Sequence, residues 1–283
     1  MARRGIEIKK PGQLLAMRRA GLVVARTLVR VGQAVSPGMT TAELDQIARD
    51  ALAEHGAGSS FLHYGGGWGA PPYPAVTCIS VNEEIVHGIP GDRALAEGDI
   101  VSVDFGAHLD GFHGDAARTF LVGEVTPEAR ELSRVTEESM WAGIGAYRLG
   151  GRLGDISAAI EQYILAHPMA SGEEYGIIRE YTGHGIGSQM HQEPDVPNWG
   201  RAGRGPKLVE GMVLAIEPMC TLGTEDTVEL DDQWTIVTAD NSLASHWENT
   251  VTATKDGLWV LTLEDGGEEE LTRRGLPFGP LAD

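Results

Sequence analysis

The chain has 283 residues, of which 42% are hydrophobic and 22% are charged, enough apolar sequence for one large globular domain or two small ones. Its 41 acidic and 22 basic residues give a net charge of −19 without a basic stripe, which argues against nucleic acid as a partner. Two cysteines, Cys78 and Cys220, are too few for a disulfide framework and indicate a reducing compartment. Arginines interrupt the first long apolar segment, so we expect no membrane span, no signal peptide and a cytoplasmic protein.

The first part of the chain predicts two helices. From Pro11 to about Val31 apolar residues recur at helical spacing, with proline at the favoured first position. Thr40 and Glu43 form a capping-box pattern that predicts the start of a second helix, which Gly56 ends. Two helices therefore precede the first predicted strands.

Strands are predicted over about 75–122, and the same order of elements then recurs. Pro127 predicts the start of a helix that runs to about residue 149, a further helix is predicted over about 155–167, and strands are predicted again from about Gly176. Strands that follow helices, rather than alternate with them, favour an α+β fold over a doubly wound parallel sheet.

A short internal match supports a duplication. EGDIVSVD at 97–104 matches EGMVLAIE at 210–217, because Glu-Gly opens both segments, small or aliphatic residues follow, and an acidic residue ends both. We therefore expect a single domain made of two similar halves, roughly 11–123 and 127–262, with a site where the halves meet. The acidic segment over 263–283 is expected to be a solvated C-terminal tail.

A β-hairpin predicted around Asp110-Gly111 presents two carboxylates on one face. Asp-Gly is a strong signal for a two-residue turn, and both flanking runs have strand character. Centring the turn there places Asp104 opposite Ala117 and makes Asp115 its diagonal neighbour on the same face. Two unpaired carboxylates would repel one another, and a hard cation between them would remove that repulsion. For this segment alone, one solvated aspartate and one turn aspartate is the alternative.

Further candidate ligands occur in the second half. TGHGIGSQMH contains His184 and His191 among glycines, which allow the backbone to approach a ligand closely, and neutral imidazole is a usual metal ligand. Glu217 follows an apolar run in AIEPM, and Glu248 precedes an alternating strand in HWENTVTAT. Singly, each also has an ordinary interpretation as a hydrogen-bonding loop residue or a solvated strand end.

Together these residues form an oxygen-rich set of four carboxylates and one imidazole: Asp104, Asp115, His184, Glu217 and Glu248. Such a set exceeds what one divalent ion needs and suits two ions that share carboxylates, closer to manganese, iron or cobalt than to a zinc site built from thiolates. The remaining histidines are assigned to turns, helix ends or, for the last of them, the surface: His55, His63, His108, His113, His167 and His246.

The sequence closely resembles the type I methionine aminopeptidases over about residues 6–261. Five motifs carry the resemblance in the expected order, at 77–90 (TCISVNEEIVHGIP), 103–120 (VDFG…DGFHGDAARTF), 183–191 (GHGIGSQMH), 215–219 (AIEPM) and 247–250 (WENT). The resemblance implies the pita-bread fold, an α+β fold whose pseudo-twofold halves carry antiparallel sheet flanked by helices.

The resemblance also implies roles for individual residues. The family's five metal ligands fall on Asp104, Asp115, His184, Glu217 and Glu248, with two divalent ions such as cobalt, manganese or iron bridged by Asp115. Glu217 would in addition move a proton from the attacking water to the leaving amine. His191 would stabilise the oxyanion, and His87 would hold the amide nitrogen of the second residue.

A methionine pocket is mapped by the resemblance onto five positions, with ordinary core packing as the alternative: Tyr64, Tyr73, Cys78, Met190 and Trp234. The segment GGGWGAPP at 65–72 is longer than the family's usual loop, so the assignments of Tyr64 and Tyr73 depend on the alignment. Trp68 within it is expected either to cover the pocket or to belong to a surface insertion.

The activity implied by the resemblance is removal of the initiator methionine from nascent proteins whose second residue is small. The partners would be N-terminal peptides, with transient proximity to the ribosome, and the protein would be a monomer that binds neither nucleic acid nor membrane. Alternatives on the same fold are Xaa-Pro aminopeptidases or prolidases, which carry an extra N-terminal domain, and non-catalytic peptide-binding relatives, which typically lose ligands. Type II enzymes carry a large insertion between the positions that correspond to His191 and Glu217. In this chain only 26 positions separate these two residues.

Overall fold

The structure is a computed structural model that describes residues 5–66 and 71–281. Its first half opens with α1 (Pro11–Ala34) and α2 (Thr41–His55). The Thr40 hydroxyl accepts a hydrogen bond from Glu43 N at the start of α2, and Gly56 ends the helix in a left-handed conformation (φ 61°), as the sequence predicts. Five strands follow: β1 (Gly58–Ser59), β2 (Thr77–Val81), β3 (Glu84–Val86), β4 (Ile100–Leu109) and β5 (Phe112–Leu121).

The second half repeats the order of two helices followed by strands. The helices are α3 (Pro127–Ala146) and α4 (Leu153–Leu165). The strands are β6 (Gly176–Ile177), β7 (Gly183–Gly185), β8 (Gln192–Val196), β9 (Val213–Ile216), β10 (Met219–Thr221), β11 (Thr227–Glu229), β12 (Ile236–Thr238), β13 (Ala244–His246), β14 (Asn249–Thr254) and β15 (Gly257–Val260), and the short helix α5 (Glu268–Arg273) comes last. The matching segments found in the sequence, 97–104 and 210–217, cover the first half of β4 and the whole of β9.

Two sheets carry most of the predicted ligands. In the first, β4 pairs with β5 on one side and with β2 and β1 on the other, and in the second the order is β15–β14–β9–β7–β8. Two three-stranded sheets, β13–β10–β6 and β11–β12–β3, complete the fold. Every pairing between these strands is antiparallel, which confirms the predicted α+β class.

The β4–β5 hairpin has the predicted register. Asp104 pairs with Ala117, and Gly106 pairs with Asp115. The turn residues Asp110 and Gly111 both have positive φ, 52° and 82°, the conformation that a tight hairpin turn between twisted strands requires. The carboxylates of Asp104 and Asp115 therefore belong to the same face of the hairpin.

Each half has its own hydrophobic core between helices and sheet. In the first, Val24 and Leu28 of α1 and Leu44 of α2 pack with Val103 and Phe105 of β4. In the second, the cluster combines α3, α4, β9 and β14 through residues such as Ile144, Ile160, Leu214 and Val251. Burial of each such side chain contributes about 1.5–3 kcal/mol, so the helices hold the sheets rigidly beneath the site.

Residues 263–281 pack on the body of the protein, and the expectation of a solvated tail is wrong for this segment. Leu271 of α5 is completely buried. The Arg18 guanidinium donates hydrogen bonds to the carbonyl oxygens of Leu263 and Glu264, and Arg274 forms an ion pair with Glu138 (2.6 Å). The high proportion of acidic residues hides this docking, because one buried leucine, Arg18 of α1 and the segment's own Arg274 fix the segment.

The cysteines and the helices bear on two expectations drawn from composition. Cys78 and Cys220 are buried free thiols. Across the described ranges, none of the helices combines the length and the apolar character that crossing a membrane requires.

Candidate active site

The five predicted ligands meet where the two large sheets face each other. Asp104 and Asp115 come from the β4–β5 hairpin, His184 lies on β7, Glu217 directly follows β9, and Glu248 lies just before β14. All five line one cavity of about 340 Å³. Because β7, β9 and β14 are adjacent strands, the three ligands of the second half are neighbours across that sheet.

Backbone hydrogen bonds join the two sheets at the ligand positions. Glu248 N donates to the carbonyl oxygen of Ala117 (3.0 Å), the residue that pairs with Asp104. The Thr250 hydroxyl donates to Asp115 O (2.8 Å) and accepts from Asp115 N (3.1 Å). The relative position of the carboxylates is therefore set by hydrogen bonds that join the backbone of the hairpin to the backbone of Glu248 and to the hydroxyl of Thr250.

The ligand atoms form two overlapping groups. His184 Nε2 lies 3.4 Å from Glu217 Oε1 and 3.9 Å from Asp115 Oδ2. Asp115, His184 and Glu248 each offer one atom within 4.8 Å of the others, and so do Glu217, His246 and Glu248. Glu248 belongs to both groups.

Several buried ligand atoms have no partner within the protein. In the described part of the chain, the side-chain atoms at this cluster without a hydrogen-bond partner are Asp104 Oδ1, Asp115 Oδ1, His246 Nε2 and Glu248 Oε1. Leaving a buried polar atom unpaired costs about 1–3 kcal/mol, and more for a charged group. A cation between them would satisfy all of these atoms at once, so the residues fit a metal centre.

The electrostatics of the carboxyls support the same conclusion. Burial, followed by the charge of Asp115, raises the pKa of Asp104, Glu217 and Glu248 well above the usual carboxyl range. Burial raises the pKa of Asp115 to about 7. Four carboxyls held this close remain ionised together only if positive charge is bound among them.

A main-chain contact of His184 orients its imidazole ring. Its Nδ1 lies 3.0 Å from Gly185 O, a contact that orients the ring with Nε2 toward the carboxylates, as is usual for metal-binding histidines. Burial lowers the pKa of His184 to about 4. The ring is therefore neutral at neutral pH, the form that binds a metal.

His87 and His191 also line the cavity, and in the described part of the chain neither belongs to a candidate metal group. The ring of His191 lies 4.2 Å from that of His184, centroid to centroid. His87 meets the rings of Tyr181 and Trp234 edge to face, at 5.6 and 6.2 Å. Both positions are compatible with contact to a substrate rather than to a metal.

Four of the five residues mapped to a methionine pocket line the cavity: Tyr64, Tyr73, Cys78 and Trp234. Met190 is not in the cavity wall and instead packs in the core with residues such as Leu14 and Met17. Four further apolar residues, which the sequence does not indicate, also line the cavity: Phe61, Val86, Tyr181 and Met219. These residues lie on separate elements, so no local pattern connects them.

The ends of the inserted segment contact the cavity wall through Trp234. The indole Nε1 donates a hydrogen bond to Pro71 O (2.9 Å). Gly65 has φ 75°, and a Cβ there would lie 2.7 Å from Trp234 Cη2, so glycine is required by both conformation and space. The expectation for Trp68 concerns a residue outside the described ranges.

His246 is wrongly assigned to the surface by the sequence analysis. It is 2% exposed and lines the cavity, because β13 pairs with β10 and places His246 opposite Met219. Its position two residues before Glu248 is the signal that could have identified it, since residues two apart in extended chain share a face. His108 and His113 are likewise strand residues that pair across the hairpin rather than turn residues.

An α+β protein whose two halves meet at a buried, oxygen-rich candidate cation site has the architecture of a pita-bread metallopeptidase. The model of metallopeptidase family M24 matches residues 15–255. The chain belongs to this family, and within it to the methionine aminopeptidases. M24 metallopeptidases use divalent metal, which agrees with the chemistry of the cluster.

Similar proteins cover almost the whole chain. The methionine aminopeptidase of Clostridium acetobutylicum is 49% identical over 259 residues, which cover 91% of this chain and 99% of that protein. Methionine aminopeptidase 1 of Mycobacterium tuberculosis is 50% identical over 262 residues, with 92% and 96% covered. The crystal structure of methionine aminopeptidase from Thermotoga maritima has a TM-score of 0.86 at 39% identity, with 92% of this chain and 100% of that chain covered. Prolidase from Pyrococcus furiosus, at 19% identity and a TM-score of 0.67, shares the fold.

Proposed function

We propose that this protein removes the N-terminal methionine from proteins whose second residue is small, by metal-assisted hydrolysis of the first peptide bond. The observation that carries the proposal is a cluster of buried carboxyls with unpartnered oxygens at the base of a cavity with apolar walls. The similarity to proteins named methionine aminopeptidase supports the choice of substrate.

The metal centre would hold two divalent ions, of the type of cobalt, manganese or iron, on Asp104, Asp115, His184, Glu217 and Glu248. Glu248 belongs to both candidate groups, and Asp115 raises the pKa of the other three carboxyls, so these two are the best placed to be shared. When bound, divalent ions polarise the carbonyl of the scissile bond and lower the pKa of the attacking water.

Glu217 is the residue best placed to move the proton. Its two carboxylate oxygens face different partners, Oε1 toward His184 and Oε2 toward His246. A carboxylate in this position accepts the proton from the attacking water and returns it to the amine that leaves. Asn198 donates a hydrogen bond to the carbonyl oxygen of Glu217 (3.0 Å) and so helps to hold the segment that carries it.

The two remaining histidines would act on the substrate. His191 would donate a hydrogen bond to the oxygen that becomes negative in the tetrahedral intermediate. His87, which burial keeps neutral by lowering its pKa to about 4, would hold the amide nitrogen of the second residue. Neither role requires contact with a metal.

The walls of the cavity fit a methionine side chain. Phe61, Tyr64, Cys78, Met219 and Trp234 present apolar, aromatic and sulfur-containing surface, which suits a flexible thioether. The cavity, of about 340 Å³, would leave little room beyond the scissile bond and so restrict the second residue to small side chains. In the cell we infer a cytoplasmic monomer that acts on nascent chains near the ribosome.

A panel of peptides tests the proposal. Met-Ala-Ser, Met-Gly-Ser and Met-Leu-Ser, together with Leu-Ala-Ser and Leu-Pro-Ser, are incubated with the metal-loaded protein, and release of the first residue is measured. Release from the first two peptides alone is expected. Cleavage restricted to the bond before proline would identify an Xaa-Pro aminopeptidase, and metal uptake without any cleavage would identify a non-catalytic relative.

A further inference from the structure

His246 is held in the site by strands that carry predicted ligands. Its main-chain N donates to the hydroxyls of Ser102 and Thr119 (3.2 and 3.1 Å), and the Thr119 hydroxyl donates to His246 O (2.9 Å). Ser102 lies on β4 and Thr119 on β5, the hairpin of Asp104 and Asp115. The backbone of His246 is therefore fixed relative to the carboxylates rather than left in a mobile loop.

The imidazole of His246 approaches the carboxylate oxygen of Glu217 that His184 does not approach. Its Nε2 lies 3.5 Å from Glu217 Oε2, whereas His184 Nε2 lies 3.4 Å from Glu217 Oε1. Together with Glu217 and Glu248 it forms one of the two candidate metal groups. Two imidazoles thus approach Glu217 at nearly equal distances, one at each carboxylate oxygen.

The His246–Glu217 separation favours coordination over a direct hydrogen bond. An N–H···O hydrogen bond has a donor–acceptor distance of about 2.7–3.2 Å. Two ligand atoms bonded to one ion at about 2.1 Å with tetrahedral angles lie roughly 3.4 Å apart. Nε2 of His246 is buried and has no hydrogen-bond partner among the described residues, so a bound ion would supply the partner that the protein does not.

We propose that His246 is a sixth protein ligand, which binds through Nε2 the ion that Glu217 and Glu248 hold. This inference rests on the proposed function, because it assumes that the cluster binds divalent ions. A second imidazole makes the site richer in nitrogen, which favours cobalt, nickel and zinc over manganese.

Proton NMR of the cobalt-loaded protein, labelled with ¹⁵N-histidine, tests the inference without using activity. Each imidazole bound to paramagnetic cobalt gives a strongly shifted ring N–H signal. We expect two such signals, from His184 and His246, in the full-length protein. His246→Gln should show one. The matched control His167→Gln, which changes a ring stacked on Tyr163, should keep both.

Metal competition provides a second measurement. Removing a residue that only hydrogen-bonds to a metal ligand typically lowers metal affinity roughly 10–100-fold. His246→Gln removes a ligand itself, so its affinity for cobalt relative to manganese should fall by at least that factor. Cobalt uptake with a single shifted signal in the unaltered protein would show that His246 is not a ligand, and the proposed metal centre would still hold. A protein that takes up no cobalt at all would overturn the proposed metal centre itself. The number of shifted N–H signals in the unaltered protein does not depend on whether the His246→Gln variant folds.

Discussion

The Tyr64 hydroxyl oxygen lies 2.6 Å from Nδ1 of His191, with the two rings tilted by 57°. Burial, and next the charge of Asp115, raise the pKa of Tyr64 above its ordinary value, so the hydroxyl stays protonated and can donate to Nδ1. In the tautomer whose Nδ1 accepts from Tyr64, the ring proton of His191 is on Nε2, where it can be donated to an oxyanion. We propose that Tyr64, mapped to the methionine pocket by resemblance, also acts as a positioning residue for His191.

Tyr64→Phe should lower kcat by about tenfold, less than loss of an oxyanion donor, while metal content is unchanged. The double variant Tyr64→Phe/His191→Ala should be no slower than His191→Ala alone, because the tyrosine acts through the histidine. Steady-state kinetics on Met-Ala-Ser measures both. A rise in KM with unchanged kcat would instead limit Tyr64 to the pocket wall.

His191→Ala should reduce turnover by about two to three orders of magnitude, the usual loss for one oxyanion-hole donor. Metal content, measured by elemental analysis, should not change, because His191 is assigned to the substrate. Loss of one metal equivalent would show that His191 belongs to the ligand set.

Asp115→Asn should abolish turnover and reduce the number of bound ions. The substitution removes a negative charge from the centre of the cluster, where Asp115 is 2% exposed, and places an amide against the cations. Asp110→Asn, at the exposed turn of the same hairpin, is a matched control that should keep both activity and metal. Wild-type turnover with a full metal complement in Asp115→Asn would contradict a two-ion centre.

The metal-free protein should become less stable as the pH rises from 7 to 8. The pKa of Asp115 is about 7 when folded, and the pKa values of Asp104, Glu217 and Glu248 are raised further, whereas unfolded carboxyls titrate near 4. The folded state therefore binds more protons in this window, and the free energy of unfolding falls with pH.

Thermal unfolding after chelation, compared with the metal-loaded protein, measures this effect. The range above pH 7 avoids the buried histidines, whose lowered pKa values act in the opposite direction below about 6.5, the pKa of unfolded histidine. The stabilisation by metal should be larger at pH 8 than at pH 7. A metal-free protein equally stable at both values would show that the carboxyls are already neutralised by other means.

Much of the site follows from local sequence patterns. The register that places Asp104 and Asp115 on one face depends only on the Asp110-Gly111 turn and the alternation of side chains. Glu217 and Glu248 are identifiable at strand ends, and the five motifs of the resemblance include both.

The parts that sequence reasoning misses depend on contacts between distant segments. His246 is turned inward by pairing with β10 and by the hydroxyls of Ser102 and Thr119, none of which its neighbours in sequence indicate. Met190 lies next to His191 along the chain but packs in the core. The docking of residues 263–281 depends on Arg18, far away in α1.

Methionine release from Met-Ala-Ser during metal titration tests the central claim most directly. The chelated protein is expected to release no methionine, and stepwise addition of cobalt or manganese should restore release until the centre is filled. The Asp115→Asn variant should remain inactive throughout the same titration. Full methionine release by the chelated protein, or none at any metal concentration, would contradict a metal-dependent methionine aminopeptidase.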